Sequence, residues 1–147
     1  MARRLVIIGG DAAGMSAAAQ ARRMTSAGEL EIVAFERSSR TSYAACGLPY
    51  LVGGFVDSPD SLIARTPEQH RAKGIDVRTR HEVTAIDATA FTVSVRGLES
   101  GQDSAGHYDA HYRYAMEARR RRAAVHAGRW GNLAANTAAC SVSSRSP

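Results

Sequence analysis

The sequence predicts an α/β fold with a mainly parallel sheet, and three observations carry that prediction. The run RLVIIGG, Arg4 to Gly10, is continuously apolar, has the length of a strand and ends in glycines, as buried parallel strands do. An alanine-rich segment from Ala12 to Met24 follows, and its residues favour a helix. A second β-branched run, Leu30 to Arg37, completes a β–α–β unit of about 30 residues.

The remaining elements follow in order along the chain. TPEQHRAKG predicts a short helix in which Thr66 is the N-cap, Pro67 the first position and Gly74 the end. IDVRTRHEVTAID and FTVSVRG then alternate apolar with polar residues, which predicts a β-meander with one solvated face. The segment from Gly97 to Gly106 is rich in turn residues.

The composition excludes several classes of protein. The two cysteines, Cys46 and Cys140, lie in segments of such different character that no disulfide framework is indicated, which fits a reducing cytoplasm. No apolar run approaches the ~18–20 residues that span a bilayer, so no membrane partner is expected. The amino terminus predicts a strand and not a signal peptide.

A glycine turn joins the first strand to the first helix. Gly9 allows a tight turn, Gly14 allows close approach of helix and strand, and the helix N-terminus offers unpaired N–H groups to a pyrophosphate. Glu36 ends the second strand, where a carboxylate can bind ribose hydroxyls, and it favours FAD or NAD over a 2′-phosphorylated nucleotide. Asp11 replaces the middle glycine of G-x-G-x-x-G, and we expect its side chain to cap the helix.

Two interpretations of this turn remain open from the residues alone. A strand–turn–helix with these glycines occurs in α/β proteins that bind no nucleotide. The order of strand, glycines, helix, second strand and acid favours dinucleotide binding.

Cys46 lies in the stretch SYAACGLPY, ten residues after Glu36. A cofactor along the carboxyl edge of the sheet would extend toward it, and a thiol reacts as its thiolate. The alternative is a small buried apolar residue, and the residues by themselves do not decide between the two.

Three segments together resemble the amino-terminal part of the single-cysteine pyridine-nucleotide-disulfide oxidoreductases, which include coenzyme A-disulfide reductases, NADH oxidases and persulfide reductases. These segments are VIIGGDAAGMSAAAQARR, FERSSRTSYAACGLPYLVGG and TRHEVTAID, and the resemblance covers about residues 4–109. It implies a Rossmann-like FAD-binding unit, with NAD(P)H as the electron donor and a homodimer in the full-length family. It implies Cys46 as the redox-active nucleophile, which forms a mixed disulfide with coenzyme A in one branch and a sulfenic acid in the oxidase branch. The cofactor-binding positions it implies are Gly9, Gly10, Ala13, Gly14, Glu36, Arg37 and Val83.

The coenzyme A branch of the family also implies a set of substrate-binding residues: Ser16, Gln20, Arg23, Ser42 and Lys73. Arg23 and Lys73 suit the phosphates of coenzyme A, and Lys73 is the only lysine of the chain. The asparagine that usually precedes the cysteine in this branch is Ala45 here. The alternative for these cations is a solvated helix face.

The composition changes after about residue 110. Residues 1–109 hold 12 Lys and Arg against 13 Asp and Glu, whereas residues 110–147 hold 7 Arg against Glu117 alone. We expect residues 1–110 to be a partial FAD/NAD(P)-binding domain. We expect residues 111–147 to be a basic tail, disordered or non-native, because its composition resembles translation in a shifted frame; propensity also allows a helix over 115–125. The alternative function of another class, nucleic-acid binding by Arg119–Arg122, has no accompanying groove-reading element.

Overall fold

The computed structural model describes the backbone of residues 2–115 and 139–144, and side chains as far as residue 111. A five-stranded sheet has the order β3-β2-β1-β7-β8, with parallel pairs β1–β2, β2–β3 and β1–β7 and an antiparallel pair β7–β8. A second, antiparallel sheet has the order β4-β5-β6. The strands are β1 Arg3–Ile8, β2 Leu30–Glu36, β3 Asp76–Thr79, β4 His81–Asp87, β5 Thr92–Gly97, β6 Asp103–His107, β7 Ala110–Ala115 and β8 Ala139–Ser144. The helices are α1 Ala12–Met24, α2 Leu48–Val52 and α3 Pro67–Arg71, with 3₁₀ turns at Ala45–Gly47 and Pro59–Leu62.

The parallel sheet is covered on both faces, which explains why its central strands are continuously apolar. On one face, Ile7 of β1 packs with Met15 and Ala18 of α1. On the other face, the neighbouring residue Val6 packs with Val93 and Val95 of the second sheet. Successive strand residues point to opposite faces, so both residues of the Val6–Ile7 pair are buried. The predicted α/β class, a Rossmann-like β–α–β unit with a meander, is confirmed.

The predicted element boundaries agree closely with the structure in the first half of the chain. Helix α1 has the predicted ends, and β2 ends one residue earlier than expected. Helix α3 is shorter than predicted, although Thr66 caps it as expected and Gly74 has the left-handed φ of 77°.

One prediction in the meander was wrong. The segment Gly97–Gly106 was expected to be turn throughout, but β6 begins at Asp103 and pairs with β5. Ser104, Ala105 and Gly106 have little intrinsic strand preference, so the pairing with β5 and not local propensity makes this a strand.

The described part of the chain extends past the predicted boundary at residue 110. Strand β7 runs parallel to β1, with His111 opposite Val6, and β8 pairs with β7. The expected helix over 115–125 and the Arg119–Arg122 run lie outside the described residues. The division of the chain at residue 110 therefore stays a prediction.

Candidate functional site

The glycine turn is closed so tightly that one of its glycines has no room for a side chain. Gly9 follows β1 with a φ of 103°, a conformation that favours glycine. A Cβ added to Gly14 would overlap the carbonyl oxygen of Gly9 and would lie 3.1 Å from Cγ2 of Ile7. The strand and the helix are therefore in the close contact that a dinucleotide fold requires at this glycine.

Asp11 is the N-cap residue of α1 by position, but it does not cap the helix with its side chain. Its backbone is extended, with φ −88° and ψ −168°, and no side-chain capping bond is made. The expectation of a side-chain cap was therefore wrong. The helix ladder begins with the N–H of Met15 donating to the carbonyl of Asp11, so the N–H groups of Ala12, Ala13 and Gly14 precede the first helical bond. These groups carry the positive end of the helix dipole and suit a pyrophosphate.

Glu36 is joined to this turn by two hydrogen bonds. The N–H of Gly10 donates to Glu36 Oε2 at 2.6 Å, and the N–H of Ser38 donates to Oε1 at 2.7 Å. A Cβ on Gly10 would lie 2.8 Å from the Cβ of Glu36, so glycine is needed for the acid to come this close. Each carboxylate oxygen has two lone pairs, which leaves acceptor capacity for hydroxyl groups.

A cavity of about 230 Å³ lies beside Glu36. Its lining residues are Asp11, Glu36, Ser38, Arg40 and Tyr43. The guanidinium of Arg40 is paired with Asp60 at 2.9 Å, so Asp11 and Glu36 give the cavity its negative charge. Hydroxyl groups of a ribose would find acceptors there, whereas a phosphate would be repelled. The Gly14 contact, the free N–H groups of α1 and this acidic cavity fit the pyrophosphate and the ribose of FAD.

Arg37 directly follows β2, and its side chain contacts the strand that carries Val83, β4. The Nε of Arg37 is 3.5 Å from Oε1 of Glu82, the residue before Val83. The pairing of β4 with β5 shifts register between Val83 and Ala85, as at a β-bulge. The irregular backbone at Val83 is therefore next to the end of β2, where the adenine of a dinucleotide would lie.

The segment that carries the cysteine is anchored to the glycine turn through Ser42. The N–H of Ser42 donates to the carbonyl of Gly10 at 3.0 Å, and the carbonyl of Ser42 accepts from Ala64 at 3.0 Å. Ser42 has a φ of 51°, a left-handed conformation that costs a residue other than glycine about 1–2 kcal/mol. These long-range bonds fix a strained residue at the base of the segment.

Cys46 is exposed and lies in the 3₁₀ turn Ala45–Gly47, which continues directly into α2. A Cβ on Gly47 would overlap the side chain of Leu62, which is itself buried. The turn therefore packs through Gly47 while the thiol of Cys46 remains accessible. An extended chain of four residues spans at most about 14 Å, so Cys46 lies within that distance of Ser42, which is itself bound to the glycine turn.

The predicted substrate residues fall into two groups. Ser16, Gln20 and Arg23 share an exposed face of α1, and the guanidinium of Arg23 donates to Oε1 of Gln20. Lys73 is exposed after α3, and the next residue, Gly74, accepts a 2.9 Å hydrogen bond from Arg22 of α1. The structure therefore brings Lys73 to the end of α1 that carries Arg23. Ser42 belongs to the other group, beside the glycine turn.

Sequence reasoning missed His70. This residue is 2% exposed, and its Nε2 lies 3.0 Å from Oγ of Ser42. Burial lowers the pKa of His70, and the positive charges of Arg65 and Lys73 lower it further. A single histidine inside a capped helix gives no signal that it will meet a serine 28 residues earlier.

Within the described residues, no group of His, Cys, Asp and Glu side chains is arranged to hold a metal ion. None of the helices in this part of the chain is long and apolar enough to cross a membrane.

Comparison with known proteins identifies relatives over most of the described residues. The model of a family described as pyridine nucleotide-disulphide oxidoreductase matches residues 3–115. The coenzyme A disulfide reductase of Staphylococcus aureus is 36% identical over 107 residues, which are 72% of this chain and 24% of that protein. The chain thus spans about a quarter of the length of this curated relative.

Solved structures with other activities are also similar. The NAD-dependent persulfide reductase from A. fulgidus has a TM-score of 0.68 and 34% identity, over 78% of this chain and 22% of that chain. The water-forming NADH oxidase from Lactobacillus brevis, bound to NADH, has a TM-score of 0.71 and 28% identity, over 75% of this chain and 24% of that chain.

Proposed function

The chain belongs to the pyridine nucleotide-disulphide oxidoreductase family, and from that premise we propose that residues 1–110 are the FAD-binding start of a disulfide reductase that acts through Cys46. The family uses FAD and NAD(P)H. The observation that supports the proposal best is the junction at Gly10. Its N–H donates to Glu36 and its carbonyl accepts from Ser42, so one residue of the turn joins the ribose-binding acid to the segment of the thiol.

Each part of the dinucleotide has a candidate partner in this arrangement. The helix N-terminus at Ala13 and Gly14 offers N–H groups to the pyrophosphate. The tight turn at Gly9 and Gly10 lets the backbone approach it closely, while their own N–H groups donate to Phe35 and Glu36. Glu36 accepts hydrogen bonds from ribose hydroxyls with the lone pairs that Gly10 and Ser38 leave unused. Arg37 and the backbone at Val83 border the adenine.

The chemistry proposed for Cys46 is thiol–disulfide exchange. Its thiolate attacks one sulfur of a disulfide, a bond forms between Cys46 Sγ and that sulfur, and the other half leaves as a thiolate. FAD, when bound, supplies the two electrons from NAD(P)H that cleave the resulting mixed disulfide. The exposure of Cys46 allows a small disulfide to reach the sulfur in line with its S–S bond.

Coenzyme A disulfide is the substrate we propose. The named relative from Staphylococcus aureus supports this choice, and Arg23 and Lys73 are exposed cations on neighbouring elements that can bind phosphate groups. Ser16, Gln20 and Ser42 add hydroxyl and amide partners. Assembly as a homodimer and a cytoplasmic location belong to the same proposal.

A persulfide reductase or an NADH oxidase is the second candidate, because solved structures with these activities are also similar. The Cys46 thiolate would then take the outer sulfur of a persulfide and release the parent thiolate, or be oxidised by a peroxide to a sulfenic acid with release of water. The discriminating feature is recognition of the phosphates of coenzyme A.

The test uses the full chain with Cys140→Ser, which leaves Cys46 as its one thiol. Incubation with coenzyme A disulfide should give a coenzyme A adduct on Cys46 by mass spectrometry, with one equivalent of free coenzyme A released. The variant with both cysteines replaced by serine should give neither. If 4,4′-dithiodipyridine modifies Cys46 but coenzyme A disulfide does not, the first candidate fails and the second is favoured.

A matched pair of variants tests the phosphate contact. Lys73→Gln should slow the reaction with coenzyme A disulfide about tenfold, the effect of roughly one charge-assisted hydrogen bond. Arg80→Gln removes a cation that is 52% exposed and paired with Glu99 at 4.0 Å, and it should leave that rate unchanged. Equal effects of the two variants would contradict a specific role for Lys73.

A further inference from the structure

His70 is a buried titratable side chain that the proposed function does not use. It lies on the five-residue helix α3, which is fixed by a capping box between Thr66 and Gln69. Its backbone is held as well, because its N–H donates to Thr66 and its carbonyl accepts from Lys73 and Ile75. The imidazole is thus held firmly with Nε2 beside Oγ of Ser42, at 3.0 Å.

Ser42 is tied to three parts of the fold at once. Its N–H binds the glycine turn at Gly10, its carbonyl binds Ala64, and its side chain binds His70. Its φ of 51° is a left-handed conformation that serine rarely adopts unless the surrounding contacts hold it there. Cys46 follows four residues later, so a change at Ser42 moves the base of the segment that carries the thiol.

The charges around His70 oppose its protonation. Arg65 precedes α3 in the sequence and Lys73 follows it, and the positive charges of both residues disfavour a protonated His70. The carboxylate of Glu68 on α3 is paired with Arg71, and Asp76 on β3 is paired with Arg78.

The charged side chains of the Ser42 segment and of the end of α1 also have partners other than His70. Arg40, in the segment of Ser42, is paired with Asp60, and Arg22 of α1 donates to the carbonyls of Leu30 and Gly74. His70 Nδ1 is buried without a hydrogen-bond partner among the described residues. An imidazolium here would be a buried cation with no carboxylate partner in the described part of the chain, so the neutral ring is the form that fits.

We propose that His70 is a positioning residue whose neutral imidazole holds Ser42, and through Ser42 the segment of Cys46, in the conformation seen here. An imidazolium still has an Nε2–H to donate to Oγ, but its buried charge beside Arg65 and Lys73 has no carboxylate partner among the described residues. The charged ring therefore moves toward water and releases Ser42. The reactivity of the thiol thereby depends on pH through a residue that does not touch it. The last step of this inference rests on the proposed role of Cys46, whereas the contact between His70 and Ser42 does not.

Amide hydrogen exchange on the full chain tests the contact without any redox reaction. Protection factors of the Ser42 and Ala64 amides, corrected for intrinsic exchange, should fall at least fivefold between pH 7 and pH 5. The amides of the β1–β2 pairing should keep their protection, because they lie outside this contact. His70→Gln keeps a hydrogen-bonding group without a charge and should remove the pH dependence. Wild-type protection that is equal at both pH values overturns the proposal, whether or not the variant folds.

The link to the thiol is tested separately, again with Cys140→Ser in the full chain. The rate of reaction of Cys46 with 4,4′-dithiodipyridine is measured from pH 5 to pH 7 with and without His70→Gln. The ratio of the two rates should change at least threefold across this range, since only one of the chains has a titrating group at position 70. A constant ratio overturns the effect on Cys46. Failure of Cys46 to form a coenzyme A adduct would instead count against the proposed function and leave the exchange result intact.

Discussion

The close contact at Gly14 can be tested by one substitution, Gly14→Ala. The added Cβ would overlap the carbonyl oxygen of Gly9 and press on Ile7 at 3.1 Å. The carbonyl cannot simply rotate away, because it shares a peptide plane with the N–H of Gly10, which donates to Glu36 at 2.6 Å. Helix α1 must therefore move away from β1.

The expected magnitude follows from two opposing terms. Overpacking at a rigid backbone atom costs about 1–3 kcal/mol, and alanine regains up to about 1 kcal/mol over glycine through helix propensity. The net loss in the free energy of unfolding is about 1–2 kcal/mol, which lowers the Tm by about 3–8 °C for a chain of this size. Since the moved N–H groups are those expected to bind the pyrophosphate, the affinity for FAD should fall at least tenfold, equivalent to about 1.4 kcal/mol.

The assay is thermal unfolding followed by circular dichroism, together with a fluorescence titration of FAD. Gly28→Ala is the matched control, because no atom lies within 4 Å of a Cβ at Gly28. Replacement of a glycine at such a site should raise stability by about 0.4–1 kcal/mol by restricting the unfolded chain. If Gly14→Ala melts at the same temperature as Gly28→Ala and binds FAD as the wild type does, the contact at Gly14 does not have the role argued here.

Three further predictions concern the acid, the cap and the buried histidine. Glu36→Gln leaves one oxygen to accept from either Gly10 or Ser38 and turns an NH2 donor toward the other N–H. Urea unfolding should therefore show a loss of at least about 1 kcal/mol and the FAD titration a weaker affinity; unchanged values for both would contradict the role of Glu36. Thr66→Ala removes the capping box and should lower the free energy of unfolding by about 1 kcal/mol in the same assay, whereas a loss below about 0.3 kcal/mol would mean that the cap is not needed. Because the pKa of His70 is lowered in the folded chain, the unfolded chain binds more protons than the folded chain just below about pH 6.5. The free energy of unfolding is therefore unaffected by His70 above that pH and decreases as the pH falls below it. Urea midpoints between pH 5 and pH 7 should show this slope in the wild type and a flatter one in His70→Phe, and equal slopes would contradict it.

The parts of the fold that the sequence predicted are those governed by near neighbours along the chain. Helix α1 was placed at its observed ends because an alanine-rich run lies between a glycine turn and a polar stop. The cap at Thr66 and the left-handed Gly74 follow from residue types that favour these conformations locally. The error at β6 arose where pairing with β5, and not local propensity, decided the structure.

The sequence suggested residues for the candidate site but not the contacts between them. The glycines and Glu36 were identified from their spacing, yet the spacing did not show that the N–H of Gly10 binds the acid while its carbonyl binds Ser42. The contact between His70 and Ser42 had no signal in the sequence, because it depends on how α3 packs against the cysteine segment.

The sequence by itself determined the β–α–β unit, its glycine turn and the acid that follows, because hydrophobic periodicity, backbone freedom at glycine and helix stop residues act over a few positions. The tertiary structure alone decided that Gly10 joins Glu36 to Ser42, that Cys46 stays exposed while Gly47 packs on Leu62, and that a buried histidine supports the strained serine. These contacts join residues that are 15 to 32 positions apart in the chain. They form when parallel strands fix which loops meet at one edge of the sheet, and no local preference encodes that meeting.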